Sequence, residues 1–453
     1  MKWLVSALVA CVVIAVPGAA LAIARENQSS AALPIAPKKQ FSYTGKEQSY
    51  VVPRGVVLLG VGVAGGHGGG NGGGGGGSAN GVGALLPVKP GQRLFVEVGA
   101  AGAYHSGAVF GGGGAAGAPP PVLAMCTGSP CDGVYASSGG GASDVRTCSI
   151  TGSRCPGGVS SAATRLIVGG GGGGRGGSGS APTGSGCGQP TGTGASANNF
   201  QYPPGNPAHG PVPITTAAGI VYPGRSTSDT VSAIRPAGGG SNVAGTGGAV
   251  ASCSAGNVTW SDSVPGSNAV GPAGGTGGNA SSLGPMGACT PGVNCEDAGA
   301  GGGGGGGYFG GGGGATGPDK ASGGCGGCND ANSGQGGGAG SSFVSNRMMD
   351  PIDEAPVLVG TGNGTVVFVP AIEIDAPAKG ATYRAGQLVR ARFSCAFDSI
   401  TSLGIAAGRP CTGSVANGRP INTKPGTHTF TVSGTAYSNG YHSVKATVTY
   451  KVR

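Results

Sequence analysis

The stretch "GAGGGGGGGYFGGGGGATG", from Gly299 to Gly317, decides how the whole chain is interpreted. Fourteen of its nineteen residues are glycine, and Tyr308 and Phe309 interrupt the run at its centre. Glycine mixed with serine is typical of flexible linkers, and a chain rich in glycine and proline is often disordered. Pure glycine can instead form a polyproline-II-type helix with three residues per turn. The neighbouring sequence separates these two interpretations.

Apolar strand-like segments lead directly into glycine at three places. They are "VVLLGVGVAGGHGGG" (56–70), "RLFVEVGAAG" (93–102) and "TRLIVGGGGGGRGG" (164–177). "GSSFV" (340–344) and "NGTVVFV" (363–369) are two further short strands. A flexible linker contains no such strands, so the interleaving favours a packed body over residues 40–370. The alternative is a set of disordered glycine loops on a small β core.

Residues 178–287 are less regular than the rest of this body. They are rich in Ser, Thr, Asn and Pro, with weak strand signals such as "AGIVYPG" (218–224). We interpret them as an irregular insertion made of long surface loops.

Residues 371–453 have a different pattern. Short runs alternate between apolar and polar residues, for example His428, Phe430 and Val432 against Thr429 and Thr431. "SNG" (438–440) is typical of a hairpin turn between the last two strands. The segment therefore predicts a C-terminal β-sandwich of immunoglobulin-like type. The predicted fold class is mainly β, with little α-helix outside the N-terminal segment.

Most of the net charge of +9 lies in this C-terminal segment, which has ten Lys/Arg against three Asp/Glu. This excess predicts either a solvated sheet surface or a basic face with weak attraction to anionic polymers or membranes. The candidate residues are Arg384, Arg390, Arg392, Arg409, Arg419 and Lys445.

The N-terminus predicts export. Lys2, the apolar run Leu4 to Val16 and the small residues around Leu21 are typical of a cleaved signal peptide over residues 1–22. A membrane span and a lipoprotein cleavage box ending at Cys11 are the alternatives. Residues 23–39 are a predicted spacer. No later segment is long and apolar enough to span a bilayer, so we expect a secreted, extracellular or cell-surface protein without a stable membrane span after signal cleavage.

The twelve cysteines that remain after signal cleavage suggest up to six disulfides. Proximity along the chain suggests the pairs, although it does not prove them. The suggested pairs are Cys126–Cys131, Cys148–Cys155, Cys187–Cys253, Cys289–Cys295, Cys325–Cys328 and Cys395–Cys411.

No motif predicts a catalytic, cofactor-binding or metal-binding residue. GxGxxG is expected by chance in a chain this rich in glycine, and no helical pattern follows it. "CGGC" (325–328) lacks the second ligand pair of a zinc site, so a loop-closing disulfide is the better interpretation. The five histidines are scattered. Nucleic-acid binding is not expected, because no basic and aromatic residues are interleaved.

Two family resemblances emerge from these segments. Residues 41–369 resemble the glycine-rich domain of secreted bacterial and phage-adhesin proteins, also found in the extracellular region of anaplastic lymphoma kinase. The similarity lies in "FSYTGKEQSYVVPRG" (41–55), "GGGASDVR" (139–146), "RLIVGGGGGG" (165–174), "GGGGYFGGGGG" (304–314) and "GGGAGSSFV" (336–344). It implies packed polyglycine-II helices on a β scaffold, with structural, adhesive or receptor-recognition roles.

The final 83 residues resemble bacterial immunoglobulin-like modules, through "APAKGATYRAGQLVRARFSCAFD" (376–398) and "SVKATVTYKV" (443–452). This likeness implies a linked cysteine pair and a spacing or adhesive role.

These features together predict an exported, non-enzymatic structural or adhesive protein. Its expected partner is a cell-surface glycan, a protein or an envelope polymer, and no cofactor is expected. Tyr308 and Phe309 either pin the glycine run to a core or bind a sugar or protein. Two alternatives remain open: a secreted hydrolase with its site in residues 178–287, and a disordered glycine region attached to one folded domain.

Overall fold

The computed structural model describes a mainly β protein, as the sequence predicts, with 41% strand, 3% helix and no helix of seven residues or more. It describes residues 36–70, 76–79, 81–118, 135–152, 155–177, 214–222, 244, 253–255, 258–260, 267, 270–276, 299–316, 334–353, 362–398, 403–404, 410–437 and 441–453. The predicted signal peptide and most of the predicted spacer lie outside these residues.

The described chain contains twenty-one strands and two 3-10 helices. The strands of the glycine-rich body are β1 (Lys39–Ser42), β2 (Gln48–Val51), β3 (Val56–Ala64), β4 (Gly81–Pro87), β5 (Arg93–Glu97), β6 (Ser143–Arg146), β7 (Arg165–Gly169), β8 (Ile214–Thr215), β9 (Gly219–Tyr222), β10 (Cys253–Ala255), β11 (Val258–Trp260), β12 (Ser342–Ser345) and β13 (Met349–Asp353). The 3-10 helices are Pro156–Gly158 and Ser161–Thr164.

The remaining strands belong wholly or partly to the C-terminal segment. They are β14 (Thr365–Ala376), β15 (Thr382–Tyr383), β16 (Arg392–Cys395), β17 (Phe397–Asp398), β18 (Leu403–Gly404), β19 (Thr412–Gly413), β20 (Gly426–Tyr437) and β21 (Tyr441–Val452).

Two sheets form a sandwich in the glycine-rich body. The first has the order β1-β14-β3-β4-β13, with β16 also paired to β14, and the second has the order β2-β5-β6-β7-β12-β9-β8. Strand β3 is buried along its whole length, because Leu59, Val61 and Val63 face the core of this sandwich and Val57 and Leu58 face a second core. This double burial is the reason that its sequence is apolar at nearly every position.

Glycine segments continue from one end of these strands. Residues 65–70 follow β3, 169–177 include and follow the end of β7, and 334–341 lead into β12. Hydrogen bonds between backbones join them to one another and to residues 99–103, 111–117, 136–142, 271–276, 299–307 and 310–316. We call these nine segments the glycine array.

Segment 299–307, from the stretch quoted first, lies at the centre of the array. Every backbone N–H from Gly302 to Gly307 donates a hydrogen bond of 2.8–3.0 Å, and the acceptor segment repeats every third residue. Gly302 and Gly305 donate to residues 335 and 338. Gly303 and Gly306 donate to residues 137 and 140, and Gly304 and Gly307 donate to residues 275 and 272. The carbonyls of residues 300–306 accept bonds of 2.7–2.9 Å from residues 171–177, 114–117 and 311–314.

This segment therefore has six neighbours, and its N–H groups from Gly302 to Gly307 and its carbonyls from Ala300 to Gly306 are satisfied without a sheet or an α-helix. A repeat of three residues is the repeat of a polyproline-II-type helix. The glycine residues of this segment are packed against neighbouring backbones, as the packed interpretation expects, rather than looped into solvent.

Glycine is required here by the close approach of the chains. A Cβ atom on Gly302, Gly303, Gly304, Gly305 or Gly306 would lie 1.9–2.3 Å from a carbonyl oxygen of a neighbouring segment. Real Cβ atoms essentially never come within 3.0 Å of such an atom. None of these glycines has a positive φ, so steric space rather than backbone conformation excludes a side chain.

Part of the predicted irregular insertion is regular. Strands β8 and β9 extend the second sheet through the pairing of β9 with β12, and residues 271–276 belong to the glycine array. Most of residues 178–287 lie outside the described residues.

The C-terminal segment joins the body through β14. This strand of twelve residues pairs with β1 and β3 in its first part and with β16 in its last part. The predicted domain boundary at 370/371 therefore falls inside one continuous strand. Val57, Leu58 and Leu85 of the body share an apolar core with Phe430 and Val448 of the C-terminal segment.

A second C-terminal sheet has the order β15-β21-β20-β19. The antiparallel pairing of β20 with β21 confirms the predicted hairpin, although its predicted turn (438–440) lies outside the described residues. Along β21 the burial alternates strictly from Val444 to Val452, as the sequence pattern predicts.

Candidate functional site

The glycine array has one end at the sheets and one end away from them. Gly141, Gly170 and Gly340 lie at the sheet end, next to the strands that they enter or leave. At the far end, Gly117 donates to Gly301 (2.9 Å), Gly177 to Ala300 (2.8 Å), Gly334 to Gly177 (2.8 Å) and Gln335 to Ala315 (2.8 Å).

Three aromatic rings gather on this far half of the array. The ring of His105 lies 4.3 Å from that of Tyr135, and Tyr104 meets Tyr135 edge-on at 6.0 Å. The backbone of His105 donates to Ala136 (2.9 Å) and has a φ of 51°. A positive φ is strained for a residue other than glycine, and such strain is concentrated at functional sites.

A buried cation lies close to these rings. Arg175 is 8% exposed, and its carbonyl accepts a bond from Ser137 (2.8 Å). Burial lowers the pKa of Arg175, and its interaction with the Tyr104 phenol partly opposes that effect. His105 is exposed, whereas Tyr104 and Tyr135 are half-buried. This aromatic group of residues 104, 105 and 135, with the cation behind it, is suited to contact with a sugar or peptide.

A second polar cluster lies on the outer face of the second sheet. Arg146 on β6 contacts both Asp144 of the same strand and Glu97 of β5, with 2.9 Å between its guanidinium and the Glu97 carboxylate. Strand register brings these groups together, because Glu97 lies directly opposite Asp144. All three side chains are buried.

Burial, and after it the nearby Asp144 carboxylate, raise the pKa of Glu97 to about 7, and Arg146 partly opposes both effects. The Oε1 atom of Glu97 is buried and accepts no hydrogen bond from the described residues. A carboxyl group with such a pKa is able to transfer protons. The Glu97 side chain, however, is only 11% exposed and already in contact with Arg146, so its charge state bears on stability.

The same outer face holds the glycine array in place. The Tyr308 ring stacks on Phe343 of β12 at 4.0 Å, with the planes 10° apart. Arg165 of β7 lies 5.0 Å over the Tyr308 ring and donates to the Gly307 carbonyl at 3.2 Å. Phe309 meets Tyr308 edge-on at 4.9 Å. Tyr308 therefore packs the central segment onto the sheet, which is the first of the two roles predicted for these aromatics.

The predicted basic residues are spread over the C-terminal segment rather than gathered on one face. Arg390 and Arg392 lie on or beside β16, and Lys445 lies on β21 in the other sheet. Arg384 and Arg419 are exposed, and Arg409 lies outside the described residues.

Two of the six predicted disulfides are present, namely Cys148–Cys155 and Cys395–Cys411. The other four pairs lie outside the residues whose side chains are described. Within the described residues, no three His, Cys, Asp or Glu side chains are grouped as metal ligands. The same residues include no helix long and apolar enough to cross a membrane.

Neither polar site was predicted from the sequence. The charge cluster had a visible signal, because Asp144 and Arg146 flank Val145 and Glu97 follows Val96, so that charges alternate with apolar residues in both strands. The aromatic group had none, because His105 and Tyr135 are 30 positions apart in the sequence. Comparison with protein-family models and with curated proteins brings no match. Membership of the glycine-rich and immunoglobulin-like families therefore stays a prediction.

Proposed function

We propose that this protein is an exported, non-enzymatic adhesive or structural protein. Its glycine-rich body, built from helices of polyglycine-II type, presents a binding surface, and its immunoglobulin-like C-terminal module acts as a stalk or anchor. The observation that carries the proposal is the central segment 299–307, which has six hydrogen-bonded neighbours and leaves no space for a side chain from Gly302 to Gly306.

Such an array is a rigid support. Each segment is held by bonds on several sides, so bending one segment requires breaking bonds to its neighbours. A rigid support lowers the entropic cost of binding at its far end. The aromatic group of residues 104, 105 and 135 lies there, and we place the binding surface around it.

The junction with the C-terminal module supports the anchoring role. Strand β14 runs from one part to the other, and the two parts share the apolar core that contains Leu58 and Phe430. The module therefore holds the body in a defined orientation. The disulfides Cys148–Cys155 and Cys395–Cys411 are suited to an oxidising, extracellular environment.

The test uses the mature full-length chain in pull-downs with bacterial cells, isolated envelope polymers and immobilised glycans. We expect binding to at least one of these, and at least tenfold weaker binding by the double variant His105→Ala/Tyr135→Ala. Leu388→Ala is the control, because Leu388 is 66% exposed on the C-terminal module.

Absence of binding to all three partners would refute the adhesive role. Binding that the double variant retains in full would refute the placement of the surface at residues 104, 105 and 135.

A further inference from the structure

The outward face of the sheet β15-β21-β20-β19 has an unusual composition. The buried residues of β20 and β21 alternate with outward ones, so the outward set is unambiguous. On β20 it comprises Thr427, Thr429, Thr431, Ser433 and Thr435. On β21, directly opposite, it comprises Lys451, Thr449, Thr447, Lys445 and Ser443.

The two outer strands of the sheet, β15 and β19, add further hydroxyl side chains to this face. Thr382 on β15 lies opposite Lys451, and Thr412 on β19 lies opposite Ser433. Tyr441, which is 58% exposed, ends the face near the hairpin tip. Threonine is common in strands, but an exposed strand face usually carries both signs of charge. No Asp or Glu occupies an outward position of these four strands among the described residues.

The spacing of this face follows from strand geometry. Lys445 and Lys451 are six residues apart on one strand, which separates them by about 20 Å. Thr447 and Thr449 lie between them, and each has a hydroxyl partner about 5 Å away across the strand pair. The hydroxyls of Thr431 and Thr447 are 2.9 Å apart. The face is thus a row of hydroxyl groups with an ammonium group near each end.

We propose that this face, which we call the threonine–lysine face, is a docking surface for a linear anionic polysaccharide. The inference rests on the proposed exported, anchoring function. Hydroxyls donate to and accept from sugar hydroxyls, whereas the two lysines pair with carboxylates along the polymer. Because no carboxylate of the face competes for the lysines, the face is complementary to a polyanion.

The charge around this face adds long-range attraction. The C-terminal segment has ten Lys/Arg and three Asp/Glu, and one of those acids, Glu373, is buried against the Ala36 amide. Such an excess steers an anionic polymer toward the module. The arrangement of the face, rather than this overall charge, selects where the polymer docks.

The test measures binding of the full-length protein to polygalacturonate at low and moderate salt. The variant Lys445→Gln/Lys451→Gln removes both ends of the face, and we expect affinity to fall about tenfold or more. The control variant Arg392→Gln/Arg419→Gln makes the same change in net charge. Arg392 lies on β16 of the opposite sheet, and Arg419 lies beside the bridge between Arg390 and Pro420.

Equal losses in the two variants would overturn the proposal, because they would show attraction by net charge alone. A second variant, Thr431→Val/Thr447→Val, keeps the shape and removes two central hydroxyls. We expect it to bind several-fold more weakly to polygalacturonate. Unchanged affinity in that variant would overturn the role of the hydroxyls.

Two further probes distinguish the kind of polymer. Oligomers too short to span about 20 Å contact only one lysine, so affinity should rise steeply once the oligomer reaches that length. Polyphosphate that binds as tightly as polygalacturonate, with the same variant losses, would overturn the assignment to a polysaccharide.

Variants that lose polymer binding but still bind cells through residues 104, 105 and 135 would support both proposals. Polymer binding through the two lysines, without binding to cells, envelope polymers or other glycans, would refute only the adhesive role of the body.

Discussion

A single methyl group placed inside the glycine array tests how the body is built. In Gly305→Ala the new Cβ would lie 2.1 Å from the carbonyl oxygen of Gly171. To bring this distance to 3.0 Å, the lower limit for real Cβ atoms, the two backbones must move apart by a further 3.0 − 2.1 = 0.9 Å. Backbones have no rotamers through which to relax, so whole segments must move.

The cost of this movement follows from the bonds that cross it. Gly171 donates to Gly306 at 2.8 Å and accepts from Gly340 at 3.0 Å, and a shift of about 0.9 Å takes these bonds beyond useful length. Each lost bond costs about 1 kcal/mol, and overpacking adds about 1–3 kcal/mol. We therefore expect the free energy of unfolding to fall by about 3–5 kcal/mol. In a domain of this size the melting temperature would fall by about 6–20 °C.

The measurement is calorimetric melting of the oxidised protein, with Gly107→Ala as the matched control. A Cβ on Gly107 meets no atom within 4 Å, and Gly107 has no positive φ. Its substitution should leave stability unchanged or raise it by up to about 1 kcal/mol, because alanine lowers the entropy of the unfolded chain. Equal melting of Gly305→Ala and Gly107→Ala would refute the packed array, since a flexible linker tolerates both.

The other predictions concern the charge cluster of Glu97, Asp144 and Arg146, the Cys395–Cys411 disulfide and the ring of Tyr308. The folded-state pKa of Glu97, about 7, is above its ordinary value of 4.5. The folded state therefore holds this proton more tightly, and its contribution to stability, full below pH 4.5, is lost as pH rises to about 7. Denaturant unfolding across this range should show a steeper decline for the wild type than for Glu97→Gln, and equal slopes would contradict the shift. Replacing Cys395 and Cys411 by serine opens a loop with a sequence separation of 16, and should lower the free energy of unfolding by about 3 kcal/mol. Tyr308→Ala should cost about 2–4 kcal/mol because its ring stacks on the sheet. Phe309→Ala should lower the free energy of unfolding by less than Tyr308→Ala does. The reverse order would contradict the role of Tyr308 in packing the central segment onto the sheet.

The strands were predictable from local pattern. In β3 and β21 the apolar residues repeat with a period of two or run continuously, and burial follows that pattern directly. The hairpin of β20 and β21 was equally predictable, because the turn-type residues "SNG" (438–440) separate two strongly alternating runs in the sequence. Local periodicity carries this information, so no tertiary contact was needed.

The partners of the glycine segments were not predictable. A glycine run has no side chains, so nothing in it specifies which segment it lies beside or in which register. Gly303 donates to Ser137 and Gly304 to Gly275, although all three segments are far apart in sequence. The ring of Tyr308 and its contact with Phe343 provide one of the anchors that set this register.

The two polar sites depend on the same long-range arrangement. Arg146 meets Glu97 across 49 positions, and His105 meets Tyr135 at the far end of the array. Hydrophobic periodicity is local, so the sequence alone specifies a mainly β chain whose glycine is interleaved with strands. The tertiary structure alone decided which backbones pack together, since chains without side chains recognise one another only through hydrogen bonds and close approach.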